Sequence, residues 1–397
     1  MTTDPLLRFR PEFPILETTT YLVSNSLGAM PRTVPDRLAE YTRAWAEQGV
    51  QAWAGGWWEM PIRAGNAIAP LIGAGEGEVA MMPNVSLAQA AVLSSLDYDG
   101  PRDTIVMTGL DFPSVRYVYD GLAARLGARI VVVESDDGIG IDLERLLAAI
   151  DERTRLVSIS HVLFRSAYIM DLEAICRHAH DVGALVCADA FHSVGVIPVD
   201  VRRTGVDFLT GGVLKWLCGG PGGCFLYVAP EIRDRYAPLV TGWQAHERPF
   251  AFEPEMTFTT GMARWLNGTP GIPALHAATE GPRIVQAAGI DAIRAKSVRQ
   301  TTRLIEMADA RGYRVSAPRD AARRGGTVAF DVPNAYEIAQ LLLAERVIVD
   351  YRPGAGIRVA PHFYTSDDEL ETCVGVIDDA LRTGRWQRFA GQRRVVT

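Results

Sequence analysis

The sequence predicts an α/β protein with a mainly parallel sheet in a large domain, followed by a smaller α+β domain. Three observations support this fold class. Short apolar segments rich in Val, Ile and Leu recur along the first part of the chain, helical stretches separate them, and the pattern changes after Pro273. Continuous apolar strands are typical of parallel sheets, because helices cover both faces of such a sheet. The length of 397 residues allows two or three domains.

The strands of the large sheet are predicted from short apolar segments, each bounded by Gly, Asp or Pro. They cover residues 104–109, 128–134, 155–162, 183–190, 206–212 and 223–229. Helices are expected between strands, over residues 84–96, 114–126, 142–151 and 171–182. The first 60 residues are rich in Pro, Trp and Gly and are expected to form an arm with one helix over about 35–48.

The smaller domain is predicted from the last third of the chain. A long amphipathic helix over about 280–311 leads into strand-like segments at 327–332, 347–352 and 357–361. Helices are expected at 334–345 and 366–382. The predicted units are therefore an arm at 1–60, a large domain at 61–280 and a small domain at 281–397.

Composition excludes several classes of protein. A formal net charge of −7 and a pI of about 5.6 argue against a nucleic-acid-binding protein or a basic membrane-surface protein. There is no apolar run long enough for a membrane span and no secretory leader pattern at the start. The five cysteines are scattered, without a CxxC pair or zinc-ligand spacing. These features predict a cytoplasmic protein that binds no metal, nucleic acid or membrane.

Lysine is so rare that an amine-dependent reaction would have only two candidates. Lys215 and Lys296 are the only lysines among the 40 basic residues. Lys215 follows an apolar strand and is flanked by glycines, where removal from water would lower its pKa and leave a free amine able to form a Schiff base. A surface lysine at a strand end is the alternative. Lys296 is predicted on a solvated helix face, so Lys215 is the favoured residue.

Asp189 closes the predicted strand that precedes the strand leading to Lys215. An aspartate there could pair with the protonated ring nitrogen of pyridoxal phosphate (PLP) and keep the ring an electron sink. The alternative is a plain helix N-cap, a position that Asp favours. Because parallel strands end at the same edge of their sheet, Asp189 and Lys215 are expected on one side of it.

A phosphate site is the third feature that this cofactor needs. Residues 83–86 open a predicted helix, whose N–H groups and dipole favour a phosphate, and the Ser86 hydroxyl adds a donor. An ordinary structural cap is the alternative. The glycines at 219–223 do not form a nucleotide-binding P-loop, because no Gly-Lys-Ser/Thr follows them.

Two further residues are candidates for contacts with cofactor or substrate. Phe112 follows a predicted strand and could stack on a cofactor ring, although a core aromatic is an equal alternative. Arg358 stands among apolar residues, where a buried guanidinium needs a partner. A substrate carboxylate bound through two hydrogen bonds would satisfy it, and an internal ion pair with an aspartate such as Asp350 is the alternative.

Several motifs, in order along nearly the whole chain, resemble those of kynureninases. They are SNSLGAMP (24–31), DFPS (111–114), ADAFHSVG (188–195), LKWLCGGPGG (214–223), GWQAH (242–246), NGTPGIPAL (267–275) and GIRVAPHFYTS (356–366). The resemblance implies a fold type I PLP-dependent enzyme of the class V aminotransferase superfamily, with a seven-stranded type of sheet in the large domain. It also implies an L-α-amino acid as substrate.

The resemblance assigns roles to individual positions. Lys215 would form the internal Schiff base with PLP and move the Cα proton, and Asp189 would bind the ring nitrogen. His192 would support the ring and the aspartate, and Phe112 would stack on the ring. The phosphate would be held at Val85 and Ser86.

Further implied roles concern the substrate and a second subunit. Arg358 would bind the substrate α-carboxylate, and Trp53 and Asn25 would lie near the substrate. Trp243 and Thr269 match residues that a neighbouring subunit contributes, which implies a homodimer with shared active sites.

Two departures from the family pattern keep the reaction open. Leu214 stands where the family has a tyrosine that assists proton transfer, and Val115 replaces an aspartate near the cofactor. The resemblance implies hydrolytic Cβ–Cγ cleavage through an external aldimine and a quinonoid, giving alanine and an anthranilate-type product. The alternatives are a PLP-dependent C–S lyase, a decarboxylating enzyme or an aminotransferase. A cofactor-free relative is a third class, which the retention of Lys215 and Asp189 disfavours.

Overall fold

The structure is a computed structural model that describes residues 4–392, within which 13 strands form three sheets. The strands are β1 (Thr20–Tyr21), β2 (Val79–Met82), β3 (Thr104–Thr108), β4 (Arg129–Val133), β5 (Thr154–Ser160), β6 (Leu185–Asp189), β7 (Phe208–Gly212), β8 (Cys224–Val228), β9 (Arg314–Val315), β10 (Val328–Asp331), β11 (Val347–Ile348), β12 (Asp350–Arg352) and β13 (Gly356–Val359).

The α-helices alternate with the strands. They are α1 (Val34–Gln48), α2 (Met60–Asn66), α3 (Val85–Ser94), α4 (Pro113–Leu122), α5 (Leu143–Ala148), α6 (Leu172–Asp181), α7 (Val201–Thr204), α8 (Pro230–Arg233), α9 (Ile272–Ala278), α10 (Glu280–Ala288), α11 (Ile290–Asp309), α12 (Ala335–Ala344) and α13 (Asp367–Thr383). Asparagine or aspartate side chains cap the N-termini of α3, α5 and α6, which fixes where these helices begin.

The large sheet has seven strands in the order β2-β8-β7-β6-β5-β3-β4. Neighbouring strands from β7 to β4 are parallel, and only β8 runs antiparallel to its neighbours β2 and β7. This confirms the predicted fold class. The four-residue strand β2, which ends immediately before Pro83, was not among the predicted strands.

The two faces of the large sheet pack into separate hydrophobic clusters. Along β3, Val106 points into one cluster, whereas Ile105 and Met107 point into the other. Both faces are therefore buried, as the continuous apolar strand segments predict. Burial on both sides leaves the ends of the strands as the places where polar side chains can gather.

The C-terminal part of the chain builds a second, antiparallel sheet in the order β12-β13-β10-β9. Helices α11, α12 and α13 cover it and share its hydrophobic cluster. The predicted helix over 280–311 is divided at Gly289, whose φ of 84° lies in the left-handed region. The predicted strand 347–352 is also divided: β11 pairs with β1 of the arm and β12 joins the small sheet. The domain boundaries at 60 and 280 stay predictions.

The prediction that Lys296 lies on a solvated helix face is wrong. Its side chain is buried, and its Nζ donates to the carbonyl oxygen of Phe363 at 2.7 Å and lies 2.8 Å from Asp4 Oδ2. The arm and the C-terminal segment thus cover α11 at this point. None of the helices within residues 4–392 is long and apolar enough to cross a membrane.

Candidate active site

A cavity of about 340 Å³ opens at the carboxyl edge of the large sheet. The ends of β5 and β6, the connection between β7 and β8, the start of α3 and the β12–β13 hairpin surround it. Its walls include Asn25, Asn84, Val85, Phe112, Ser160, Phe164, Asp189, Phe191, His192, Leu214, Lys215, Arg352 and Arg358. This is the position in which open α/β sheets bind ligands.

Lys215 lines this cavity, and its amine has aromatic and imidazole neighbours. Its Nζ is 2.7 Å from His192 Nε2 and 5.5 Å and 5.2 Å from the ring centres of Phe112 and Phe191. Burial lowers the pKa of the Lys215 amine, while the negative charge of Asp189 opposes this shift. A low pKa favours the neutral amine, the form that reacts with an aldehyde.

Asp189 is held at the same edge by strand register and one backbone hydrogen bond. It pairs with Ser160 of β5 and Thr210 of β7, and its Oδ1 accepts a hydrogen bond of 2.9 Å from the Phe191 N–H. Burial raises the pKa of this carboxyl, and Lys215 partly offsets the rise. A buried carboxylate is destabilised by its loss of hydration, so a cationic group of a bound ligand would stabilise it.

The backbone around Lys215 is fixed by the arm. The Gly28 N–H donates to the carbonyl oxygen of Leu214 at 2.8 Å, and the Cys218 N–H closes a turn onto the carbonyl of Lys215 at 3.0 Å. A Cβ at position 28 would lie 2.1 Å from the Lys215 carbonyl oxygen. Only glycine therefore allows the arm to approach the lysine turn this closely.

Helix α3 begins at the cavity wall. Asn84 caps it by accepting a 3.0 Å hydrogen bond from the Leu87 N–H, and Asn84 and Val85 line the cavity wall. The first N–H groups of a helix have no carbonyl partner within it, and the dipole favours an anion there. Ser86, predicted beside the phosphate, lies one residue further into the helix and outside the cavity lining.

Two arginines of the β12–β13 hairpin line the cavity and share one carboxylate. Arg358 binds Asp350 through Nε at 2.7 Å and through Nη2, and its Nη1 donates to the carbonyl of Phe164 at 2.6 Å. Arg352 Nη2 lies 3.3 Å from the same Asp350. The internal ion pair, which was the alternative partner for Arg358, is thus formed, and the guanidinium still reaches the cavity.

Some residues of the cavity were not predicted from the sequence. Arg352 and Phe191 line it, and Asp111 ties two strand ends together by accepting from the N–H groups of Thr108 at 2.8 Å and Ser160 at 2.6 Å. The sequence feature that could have indicated Arg352 is its position close to Arg358, in the same short hairpin. Asp111 carried no such signal, because its partners are backbone groups.

Other predicted residues lie outside the cavity lining of the single chain. Trp53 packs edge-on against Trp57, with ring centres 5.6 Å apart. Trp243 belongs to an aromatic cluster with Trp58, and Thr269 is exposed. Their roles therefore stay predictions, and those of Trp243 and Thr269 depend on a second subunit.

The cavity fits PLP by the chemistry of its walls. Asn25 is 1% exposed, yet neither its amide nitrogen nor its amide oxygen has a hydrogen-bond partner within residues 4–392. An unpaired buried amide is costly, so a polar ligand would stabilise it. Lys215 offers an amine, Asp189 a carboxylate and α3 an anion site, which match the aldehyde, ring nitrogen and phosphate of PLP. Among the described residues there is no cluster of His, Cys, Asp or Glu suited to a metal ion.

This fold, with a lysine and an aspartate at one edge of its sheet, defines a class of PLP-dependent enzymes. The chain belongs to the class V aminotransferase family, which matches residues 20–362. Within it, the chain is 32% identical to a kynureninase of Pseudomonas fluorescens, over 98% of this chain and 96% of the relative. It is also 32% identical to a kynureninase of Burkholderia pseudomallei strain 1106a, over 97% of this chain and 94% of the relative.

Solved structures share the fold. The apo cysteine desulfurase of Thermococcus onnurineus NA1 aligns with a TM-score of 0.85 at 24% identity, covering 96% of this chain and 99% of that one. C-DES, with glycine covalently linked to its PLP, aligns with a TM-score of 0.84 at 21% identity, covering 93% and 99%. The chain is therefore a fold type I, PLP-dependent, kynureninase-like enzyme.

Proposed function

We propose that this protein hydrolyses the Cβ–Cγ bond of L-kynurenine or a closely related amino acid, giving alanine and an anthranilate-type product. The observation that carries the proposal is the 32% identity to kynureninases across 97–98% of the chain. The cavity supports it, because its walls combine a reactive amine, a carboxylate and a guanidinium within one space.

Each of these groups has a task in the proposed reaction. Lys215 would hold the aldehyde carbon of the cofactor, and its amine would remove the Cα proton of the substrate. Asp189 keeps the ring nitrogen protonated through a charge-assisted hydrogen bond. Arg358 orients the substrate α-carboxylate with the N–H groups that do not bind Asp350 or Phe164. When bound, PLP supplies the electron sink for the charge left at Cα.

The remaining walls would exclude water and bind the ends of the ligands. Phe112 would cover one face of the cofactor ring, and His192 would support the ring next to Asp189. The start of α3, at Val85 and Ser86, would hold the phosphate. Asn25 would use its unpaired amide to contact the bound substrate, and Trp53 would lie near the substrate side chain.

A second candidate function keeps the same early steps and ends with a different bond. Leu214 lines the cavity where kynureninases are expected to have a protic side chain, and Val115 is buried among apolar residues. Less help with proton transfer favours loss of a β-substituent, as in a C–S lyase, or a decarboxylating or aminotransferase-type reaction. These are the alternatives if Cβ–Cγ cleavage fails.

The test is incubation of the purified PLP-loaded enzyme with L-kynurenine, followed by anthranilate fluorescence and alanine analysis. We expect both products in equal amounts, and no product from Lys215→Ala. The parallel samples hold L-cysteine and L-cystine, with sulfide and pyruvate as readouts. Sulfide or pyruvate without anthranilate at high enzyme concentration would replace the main proposal with the C–S lyase.

We also propose a cytoplasmic homodimer with shared active sites. Trp58, Trp243, Phe250 and Phe252 form an aromatic cluster in which Phe250 is 58% and Phe252 73% exposed. An exposed aromatic patch of this kind is typical of a protein interface. Trp243 and Thr269 are proposed to reach the partner's cavity. The cytoplasmic location rests on five cysteines that are all free and buried.

A further inference from the structure

The contact between Lys215 and His192 is the closest side-chain contact of the reactive amine. The two nitrogens are 2.7 Å apart, within hydrogen-bond distance, and His192 is 7% exposed. His192 lies three residues beyond the end of β6, on the same edge of the sheet as Asp189.

The residue before the lysine cannot exchange a proton. Leu214 lines the cavity beside Lys215, and its side chain is a hydrocarbon. Among the other groups that line the cavity, Asp189 accepts a hydrogen bond from the Phe191 N–H and is proposed to pair with the ring nitrogen of the cofactor. The amide of Asn25 does not titrate. His192 is therefore the side chain next to the amine that can both accept and return a proton.

The charges around His192 decide its resting state. Burial, the positive charge of Lys215 and the positive charge of Arg358 all lower the pKa of the imidazole. Asp189 faces the same space from the end of β6. The lowered pKa favours the neutral imidazole, and the tautomer that carries its hydrogen on Nδ1 leaves Nε2 as an acceptor for the lysine.

The β12–β13 hairpin places two further charged residues, Asp350 and Arg352, near Lys215. Arg352 lowers the pKa of the amine and Asp350 raises it, and both effects are smaller than those of burial and Asp189. Arg358 also lowers the pKa of the amine, so two carboxylates and two guanidinium groups act on Lys215.

We propose that His192 is the proton-exchanging partner of Lys215 and performs the work that Leu214 cannot. The Nζ–H bond of the lysine breaks as an Nε2–H bond forms on His192, so the amine regains the lone pair that removes the Cα proton. Once Nζ has given the Cα proton back to the substrate or product and has its lone pair again, the imidazolium returns its own proton to Nζ, so the protons balance and no other reactant is needed. His192 acts through Lys215 and is a positioning residue in this sense. The inference rests on the proposed Lys215 chemistry.

The first experiment uses the apoprotein, so it does not depend on turnover. Trace acylation across a range of pH, read by peptide mass spectrometry, gives the titration midpoint of Lys215. His192→Ala removes the acceptor and is expected to lower the midpoint by about one pH unit, as for a hydrogen bond to a charged group. His192→Gln keeps an acceptor and is expected to retain the midpoint. His161→Gln is the matched control, since His161 is equally buried at 7% exposure and lies outside this cavity.

The second experiment separates proton exchange from hydrogen bonding. Exchange of the Cα hydrogen of L-alanine in D₂O, followed by NMR with the PLP-loaded enzyme, measures proton transfer alone. His192→Gln is expected to lower the exchange rate about 100-fold and to flatten its pH profile. Adding Leu214→Tyr to this variant is expected to restore part of the rate, because a protic group returns beside the lysine.

The outcomes distinguish this inference from the proposed function. Wild-type exchange without anthranilate formation would contradict the kynurenine reaction and leave the role of His192 supported. Unchanged exchange and pH profile in His192→Gln, or an unmoved midpoint in His192→Ala, would overturn the role of His192 alone. No wild-type exchange on either L-alanine or L-kynurenine would overturn both.

Discussion

At the scale of single residues, burial lowers the pKa of both lysines of the chain, and Lys296 in addition pairs with Asp4. Burial lowers the pKa of Lys215 from 10.5 to about 7, so between these values the unfolded chain binds more protons than the folded one. The free energy of unfolding therefore rises with pH across this window, and a penalty remains below it. We expect Lys215→Met to stabilise the apoprotein by roughly 1–3 kcal/mol near neutral pH, because no amine is then buried.

Lys296→Met is the matched comparison in the same chain. Lys296 is buried but pairs with Asp4 and the carbonyl of Phe363, so its removal leaves a carboxylate and a carbonyl without their partner. We expect this variant to lose roughly 1–3 kcal/mol. Urea unfolding of both apoproteins at about pH 7.5 and about pH 9.5 measures the difference. A pH slope of Lys215→Met equal to that of the wild type would contradict the buried-amine account.

The same two residues show what sequence can and cannot predict at this scale. Lys215 was favoured because its neighbours are apolar and glycine-rich, which is local information. Lys296 was misassigned because the residues that cover it, Asp4 and Phe363, are distant in sequence. The ion pair between Arg358 and Asp350 was foreseen as an alternative, since a buried guanidinium needs an acceptor and Asp350 is only eight residues away.

At the scale of elements, the arm and the lysine turn depend on a close backbone approach. We expect Gly28→Ala to displace the turn, because the new Cβ would lie 2.1 Å from the carbonyl oxygen of Lys215. Backbone atoms cannot yield to such a contact, so the amine should move from its place beside His192. The expected result is at least a tenfold loss of PLP affinity, which is about 1.4 kcal/mol, measured by absorbance titration of the apoprotein.

A glycine in open space is the control for this substitution. Gly375 lies within α13, and a Cβ there would meet nothing within 4 Å. Gly375→Ala should therefore raise stability by about 0.5–1 kcal/mol through helix propensity and leave PLP binding unchanged. If Gly28→Ala bound PLP as tightly as Gly375→Ala, the arm would have no part in positioning Lys215.

Elements were predicted well where their own pattern was strong. Six strands of the large sheet were predicted near their observed positions, because both faces of that sheet are buried and apolar runs mark it. The four residues of β2 are too few for such a run. The split of the predicted strand 347–352 depends on the arm, since β11 pairs with β1 from more than 300 residues earlier. Pairing between segments so far apart in sequence cannot be predicted from the local pattern of residues.

At the scale of the whole molecule, the cavity of one chain lacks some residues expected in it. The segment that carries Trp243 runs beside Asn267, near Thr269, through a 3.2 Å hydrogen bond from the Gln244 N–H. This segment and the neighbouring exposed aromatic cluster lie outside the cavity lining of their own chain. A two-fold symmetric dimer would bring the same segments of each chain to the other. The sequence predicts a homodimer with shared active sites only through its resemblance to kynureninases. No residue pattern within one chain indicates which segments would reach the partner.

Shared active sites make a quantitative prediction for mixed dimers. Lys215→Ala and Trp243→Ala should each be inactive as pure dimers, because every cavity then lacks one required residue. In a mixed population refolded together, half of the dimers are hybrids, and each hybrid has one cavity with both residues intact. We therefore expect about a quarter of wild-type turnover to return, measured with the substrate that the wild type cleaves.

The control pairs two residues of the same cavity wall. Lys215→Ala mixed with Asp189→Ala gives hybrids in which each cavity lacks either the lysine or the aspartate, so no turnover should return. Hybrid formation is confirmed independently by purification through two different affinity tags. Recovery in the control, or no recovery from hybrids of Lys215→Ala and Trp243→Ala, would contradict shared sites. A quarter-level recovery restricted to the first mixture requires that Trp243 acts across the interface, because only that arrangement places both defects in one cavity of the hybrid and leaves its other cavity intact.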